Sequence, residues 1–342
     1  MGAALVFDEA QLMSEHPYAR PLEAVGHRLH GGFDAAGAYQ SPRTLGRWPA
    51  VRGWQQSLAA RGWPLIDASG ALLTMGNYPS FEQQRLLLQW GCGQTLWNSL
   101  TVTGVVEARG RILATIPVPN FQSIIEEDLS QTTVGHLGKG LFRAHGFDEG
   151  GVPESGIGGH DTMWFAVRDM LFGRDAWPMP EVPPSLARPA GDRLLPMIDA
   201  PYEQIIVMMM NVLMIEIRAE AFFSFCTRVM RDPACFADRR ETAEQAAVMV
   251  ERIREDEQIH VAYLQSAISE LRSFTFKAND GRRIPGERLL DPLWQGFVRW
   301  HSVDTVQHTR AQARASIEAT LRAMPQGEAK LQAFLALETS GA

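Results

Sequence analysis

Residues 243–271, AEQAAVMVERIREDEQIHVAYLQSAISEL, decide the fold class. Apolar side chains fall at Ala243, Ala246, Ala247, Val250 and Ile253, and resume at Val261, Leu264, Ala267, Ile268 and Leu271. Steps of three and four are the signature of a helix with one buried face. Two polar residues occupy the same stripe. Glu257 follows Ile253 by four, His260 follows Glu257 by three, and Leu264 follows His260 by four. Burying a carboxylate and an imidazole is costly unless they pair or hold a metal. Glu-x-x-His is also the spacing that lets two side chains of one helix grip an ion inside a helical bundle.

Working outward, this helix is predicted to open near Asp238, with Glu241 at capping-box spacing, and to run to about Ser273. The helix before it is predicted to start after Asp199, with Pro201 in its first turn, and to stop at Asp232-Pro233. Its segment 205–215, IIVMMMNVLMI, is apolar on all sides, which makes it a central helix. Glu216 and Glu220 follow, four apart and on one face. With the turn placed near 238, Glu220 lies 18 residues before it and Glu257 lies 19 after it. In an antiparallel hairpin, residues equidistant from the turn are level. Glu220 is therefore expected opposite Glu257 and His260, with Glu216 one turn further along. For Glu216 the alternative is a buried hydrogen-bond partner of Arg218 or of another arginine.

A Glu on one helix and a Glu-x-x-His on the next resembles half of the di-iron carboxylate site of the ferritin-like superfamily. The resemblance rests on residues 200–272. It implies an all-α chain built on a ferritin-like four-helix bundle, and a second helix pair carrying another Glu and another Glu-x-x-His. That second motif is absent from the sequence. His136 is preceded by Thr133 at the matching position, and His160 by Ile157. Candidate first-half ligands are Glu107, in the apolar context TVTGVVEARG, and Glu127 beside Glu126 and Asp128. His136 is carried with them, against the alternative of a core or helix-end histidine. His145 is read in that structural way, and His160-Asp161 as a helix-capping pair. His301, Asp304 and His308 share a face that is read as solvated.

The remaining chain is organised around this core. A helix is expected over 81–109, a break at 116–120 (IPVPN) and a second helix over 121–145. The segment 146–159 carries six glycines and reads as a loop; GIGGHD lacks the third glycine and preceding strand of a dinucleotide fingerprint. A short helix is expected over 160–172, and seven prolines from Trp177 to Pro201 mark a crossover at about 173–201. An extra C-terminal helix is expected over 293–323. Residues 1–80 read as an irregular segment packed on the bundle through Trp48, Trp54 and Trp63, and residues 81–342 as the helical domain.

A net charge of -7 and a pI near 5.8 give no footprint for nucleic acid. Three cysteines without a CxxC pair argue against a disulfide framework or a structural zinc. The acidic N-terminus lacks a secretory signal, and the longest apolar run is too short for a bilayer, so a cytoplasmic protein without a membrane partner is expected. Mixed carboxylate and imidazole ligands suit iron or manganese. The resemblance then implies two metal ions, iron with iron or manganese with iron. In that setting Glu220 would be a bridging or terminal carboxylate, Glu257 a bridge and His260 a terminal ligand. It implies oxidation of a small organic substrate; the Met- and Phe-rich stretch from Met208 to Phe225 reads as the lining of an apolar pocket or as ordinary core. A ferroxidase, or a helical binding module that has lost its metals, is the alternative. A homodimer is left open, and the sequence names no electron donor.

Overall fold

The structure, a computed structural model, describes residues 5–73, 76–188 and 191–339. Among them the chain is mostly helical. The helices are α1 (Glu9–Leu12), α2 (Thr44–Ala60), α3 (Phe81–Gln89), α4 (Gln94–Gly110), α5 (Leu141–Gly150), α6 (His160–Phe172), α7 (Ala200–Arg231), α8 (Arg240–Ser273), α9 (Gly286–Arg299), α10 (Thr305–Arg322) and α11 (Gly327–Thr339). Strands are short: β1 (Arg20–Ala24), β2 (His27–Phe33), β3 (Tyr39–Gln40) and β4 (Ile157–Gly158) form one small sheet, and β5 (Thr275–Lys277) pairs with β6 (Arg283–Pro285).

The two long helices are where the periodicity places them. α7 and α8 pack along each other as an antiparallel hairpin and bury Met209, Met210, Leu213 and Met214 from one side and Ile259, Leu264, Ala267 and Ile268 from the other. Each large apolar side chain removed from water in this way stabilises the fold by about 1.5–3 kcal/mol. Their caps differ from expectation. Asp199 is the N-cap residue of α7, but its carboxylate accepts from Asn279 Nδ2. Asp238 pairs with the neighbouring Arg239 and does not cap α8.

Four other expectations are corrected. The helix over 81–109 is two helices, because Gly91 adopts a left-handed φ of 78° between them. The helix over 121–145 does not form. Residues 121–139 are short 3-10 turns and loops, and the α-helix begins only at Leu141. The N-terminal segment holds more regular structure than its composition suggests. It contains the 17-residue α2 and the β1–β2 hairpin, and it buries Trp54 while setting Trp63 edge-on against Phe274. The C-terminal helix is interrupted by a π-helical turn at Trp300–Asp304.

α6 lies between α4 and α8, and α5 packs against α4 and against α6. These helices, with α7, surround a polar centre inside an otherwise apolar core. All three cysteines are free and buried. No helix among the described residues is long and apolar enough to cross a membrane.

Candidate metal centre

Five helices each bring at least one acid or histidine to the centre. α5 presents His145 and Glu149, one turn apart on one face. α8 presents Glu257 and His260, α7 presents Glu216, α4 presents Glu107, and α6 opens with His160. Their ligand atoms form two adjoining groups, each with all atoms within 4.8 Å of one another. One is His145, Glu149, Glu216 and His260; the other is Glu107, Glu149, His160 and Glu257. Glu149 belongs to both, so its carboxylate lies where it can bridge two ions.

The loop between α5 and α6 makes this geometry reachable. Gly151 sits at φ 66°, and a Cβ there would lie 2.4 Å from the Ile157 carbonyl oxygen. A Cβ on Gly159 would lie 2.3 Å from the Gly151 nitrogen. Backbone passes backbone at contact distance, and β4 pairs with β2, so His160 is returned beside Glu149 within a ten-residue excursion.

Glu149 Oε1 is the hub. It lies 3.3 Å from His145 Nε2, 3.4 Å from His260 Nδ1 and 3.5 Å from His160 Nδ1. Glu216 Oε1 is 3.3 Å from His145 Nε2, and Glu257 Oε1 is 2.9 Å from His160 Nδ1. Glu257 Oε2 is 2.5 Å from His260 Nδ1. Yet Glu149 Oε1, Glu257 Oε1 and His160 Nδ1 make no well-aligned hydrogen bond although all are buried. Buried polar atoms left without an aligned hydrogen bond are what a cation would satisfy.

The second nitrogen of His260 and that of His145 are bonded by outer partners, and that of His160 faces one without an aligned hydrogen bond. His260 Nε2 lies 2.9 Å from Asp148 Oδ2, and Asp148 is gripped by Arg43 and by Arg47 Nη2 at 2.6 Å. His160 Nε2 lies 3.4 Å from Asp256 Oδ2, which also accepts from the Tyr39 hydroxyl at 2.9 Å and faces His30 Nε2 at 3.3 Å. His145 Nδ1 is 2.7 Å from the Tyr263 hydroxyl. Outer partners of this kind fix the tautomer and orientation of metal-ligating histidines. A third group, His30, His160 and Asp256, is also close enough to hold an ion. His160 Nδ1 already faces Glu257 and Glu149, so this group serves best as the outer layer of the second.

Electrostatics point the same way. Burial and the charge of Glu149 push Glu107 well above the usual carboxylate range. Burial and Glu257 push Glu216 up. Burial acts the same way on Glu149 and Glu257, but contact with Glu107 and the histidines outweighs it for Glu149, and His160 outweighs it for Glu257, so both are held down. His145 and His160 are raised well above their ordinary value: burial opposes this, but Tyr263 and Glu149 outweigh it for His145 and the surrounding carboxylates for His160. Four carboxylates thus share the space with too little positive charge unless protons are taken up, and two divalent cations would balance them.

Of the residues singled out by sequence, Glu107, Glu216, Glu257 and His260 meet at this centre. Glu220 does not. Its side chain is 46% exposed and forms an ion pair with Arg254. Glu127 accepts from the Thr275 amide at 2.9 Å and anchors β5. His136 is satisfied on both nitrogens, by the Thr132 carbonyl and the Phe7 amide, and lies against Trp54. His145 and His160, read as structural, and Glu149, not singled out at all, stand in the centre. His301, expected on a solvated face, is buried and lies 3.2 Å from Asn211 Oδ1.

Beside the centre is a cavity of about 630 Å³. Glu107 lies in its wall, with Val102 and Val106 of α4, Phe222 and Phe223 of α7 and residues of α10. From the methionine- and phenylalanine-rich stretch, Phe222 and Phe223 reach this cavity, whereas Met209, Met210 and Met214 are core.

No family model, curated protein or solved structure matches the chain. The molecule is a mostly helical protein whose buried His, Glu and Asp groups could hold metal, and this is compatible with a ferritin-like fold.

Proposed function

We propose that the protein is a di-metal oxidase or oxygenase of ferritin-like type, acting on a small organic substrate. The first ion would be held by His145, Glu149, Glu216 and His260, and the second by Glu107, Glu149, His160 and Glu257. The mixed imidazole and carboxylate set favours iron, or manganese with iron. When bound, such a pair supplies the electrons and the open coordination at which dioxygen is activated. The chain's own residues do the rest. Asp148, Asp256 and Tyr263 keep the three imidazoles aimed inward. Glu107 stands between the centre and the cavity, where its carboxylate would hold the second ion and face the substrate side. Phe222 and Phe223 give that side an apolar wall.

The observation that carries an organic substrate over ferroxidase work is the position of Glu107, which belongs to the second ligand group and also to the cavity wall. Anaerobic reconstitution with Fe(II), followed by metal analysis, tests the reading. Uptake of about two ions per chain is expected from a centre of this type. No uptake would overturn it. Rapid oxygen consumption with Fe(II) alone, unchanged by any organic acid or amine, would favour the ferroxidase alternative.

A further inference from the structure

Arg218 lines the same cavity, two residues after Glu216 on α7. Among the described residues it has no hydrogen-bond or ion-pair partner, and Glu216 faces His145 instead. The acids nearest to hand are spoken for: Glu220 is paired with Arg254, and Glu107 is turned to the metal ligands. A second wall residue, Arg310, rests on the Tyr78 ring at 4.8 Å and also lacks an acidic partner among the described residues. Arg218 is half-buried in the cavity wall, and no anion faces it among the described residues. Its charge, after burial, helps push the neighbouring His301 down to about 3. A half-buried guanidinium that opens onto a cavity without a counter-charge is placed to receive an anion.

We propose that the cavity binds an organic carboxylic acid with an apolar body, its carboxylate on Arg218 with Arg310 in support. The planar guanidinium matches a carboxylate in two parallel hydrogen bonds. The body would run along Val102, Val106, Phe222 and Phe223, which brings its carbons to Glu107. The volume is that of an ordinary small-molecule pocket. This assignment rests on the di-metal reading for its chemistry, though not for its binding.

Calorimetric titration of the purified full-length protein with decanoate, methyl decanoate and decyl phosphate tests it, with metal content measured on the same sample. Decanoate should bind saturably and about tenfold or more tighter than its methyl ester, the scale of a charge-assisted pair. Arg218→Met should abolish that difference while leaving the ester's affinity unchanged, and Arg218→Lys should restore part of it. Equal affinity for acid and ester, no binding of either, tighter binding of decyl phosphate, or an unchanged preference in Arg218→Met would each overturn the proposal. Failure of the di-metal reading would show separately, as protein that binds decanoate but takes up no iron.

Discussion

Asp148 Oδ2 on α5 lies 2.9 Å from His260 Nε2 on α8, and this contact has a counterpart across the centre. Asp256 on α8 faces His160 Nε2 on α6 at 3.4 Å. In both places an Asp-Glu pair divides its labour. Asp148 bonds and Asp256 faces a histidine from another helix, while Glu149 and Glu257 turn inward to the ligand groups. Adjacent residues on a helix point about 100° apart, so one dipeptide can serve both layers.

Asp148→Asn should keep a hydrogen-bond acceptor for His260 but lose the charge that Arg43 and Arg47 hold in place. Metal affinity should fall about 10–100-fold, the usual effect of an outer-layer change. Competitive chelator titration measures it; an unchanged affinity would mean that His260 needs no such orientation.

Substitutions in the ligand groups should separate from those of the residues the fold sets aside. His160→Ala should lower bound metal from about two ions to about one, and Glu149→Ala should disturb both. Glu127→Ala and His136→Ala should leave metal content unchanged, because their side chains bond Thr275, Thr132 and Phe7. Glu220→Ala should also bind metal normally and cost at most about 1 kcal/mol, since its pair with Arg254 is largely solvated. Metal analysis with circular dichroism on each variant reads both effects.

Gly151→Ala should act at a distance on the second ligand group. The added Cβ meets the Ile157 carbonyl oxygen at 2.4 Å and would sit at φ 66°, so the loop that returns His160 must move. The strain alone is about 1–2 kcal/mol. A lower melting temperature together with loss of one ion is expected; full metal content would show that the loop tolerates the shift.

Glu270 should give a pH dependence independent of the centre. It is buried beside α8's C-terminal turn and accepts from the Thr133 and Val134 amides at 2.9 Å. Burial raises it to about 7, against the pull of those donors. An unfolded glutamate releases its proton near 4.3, about three units lower, so its contribution is fully present below that pH. As pH rises toward 7 the folded state retains a proton the unfolded chain has lost, and about 3 kcal/mol of stability is lost. Urea unfolding at pH 5 and pH 7.5 should show Glu270→Gln gaining on the parent protein as pH rises. A constant difference between the two would refute the assignment.

The long helices were legible because their apolar faces are continuous: the bounds of α7 and α8 lie within two residues of the expected ones. Glu257, His260 and Glu216 lie together as the hairpin argument expected, whereas Glu220 lies apart on Arg254. α7 ends at Arg231 and α8 begins at Arg240, so the midpoint lies near residue 236, where Phe236 takes a left-handed φ of 50°, rather than at 238. That shift sets Glu216 level with residue 256, beside Glu257, and Glu220 level with residue 252, within a turn of its partner Arg254. The other half was hidden because its helices are short. Gly146 and Gly150 lie inside α5, and the glycine count made that helix read as loop from its middle onward. The usable signal was His145 and Glu149 at helical spacing, with Asp-Glu repeated at 148–149 and 256–257. The contribution of Arg43, Arg47 and His30 was beyond reach, since it depends on where α2 and β2 dock.

The most direct test of the central claim is anomalous X-ray scattering at the iron edge from crystals of the iron-reconstituted protein. Two peaks are expected, one among His145, Glu149, Glu216 and His260 and one among Glu107, Glu149, His160 and Glu257. No peak in these positions, or a single peak among His30, His160 and Asp256, would contradict it.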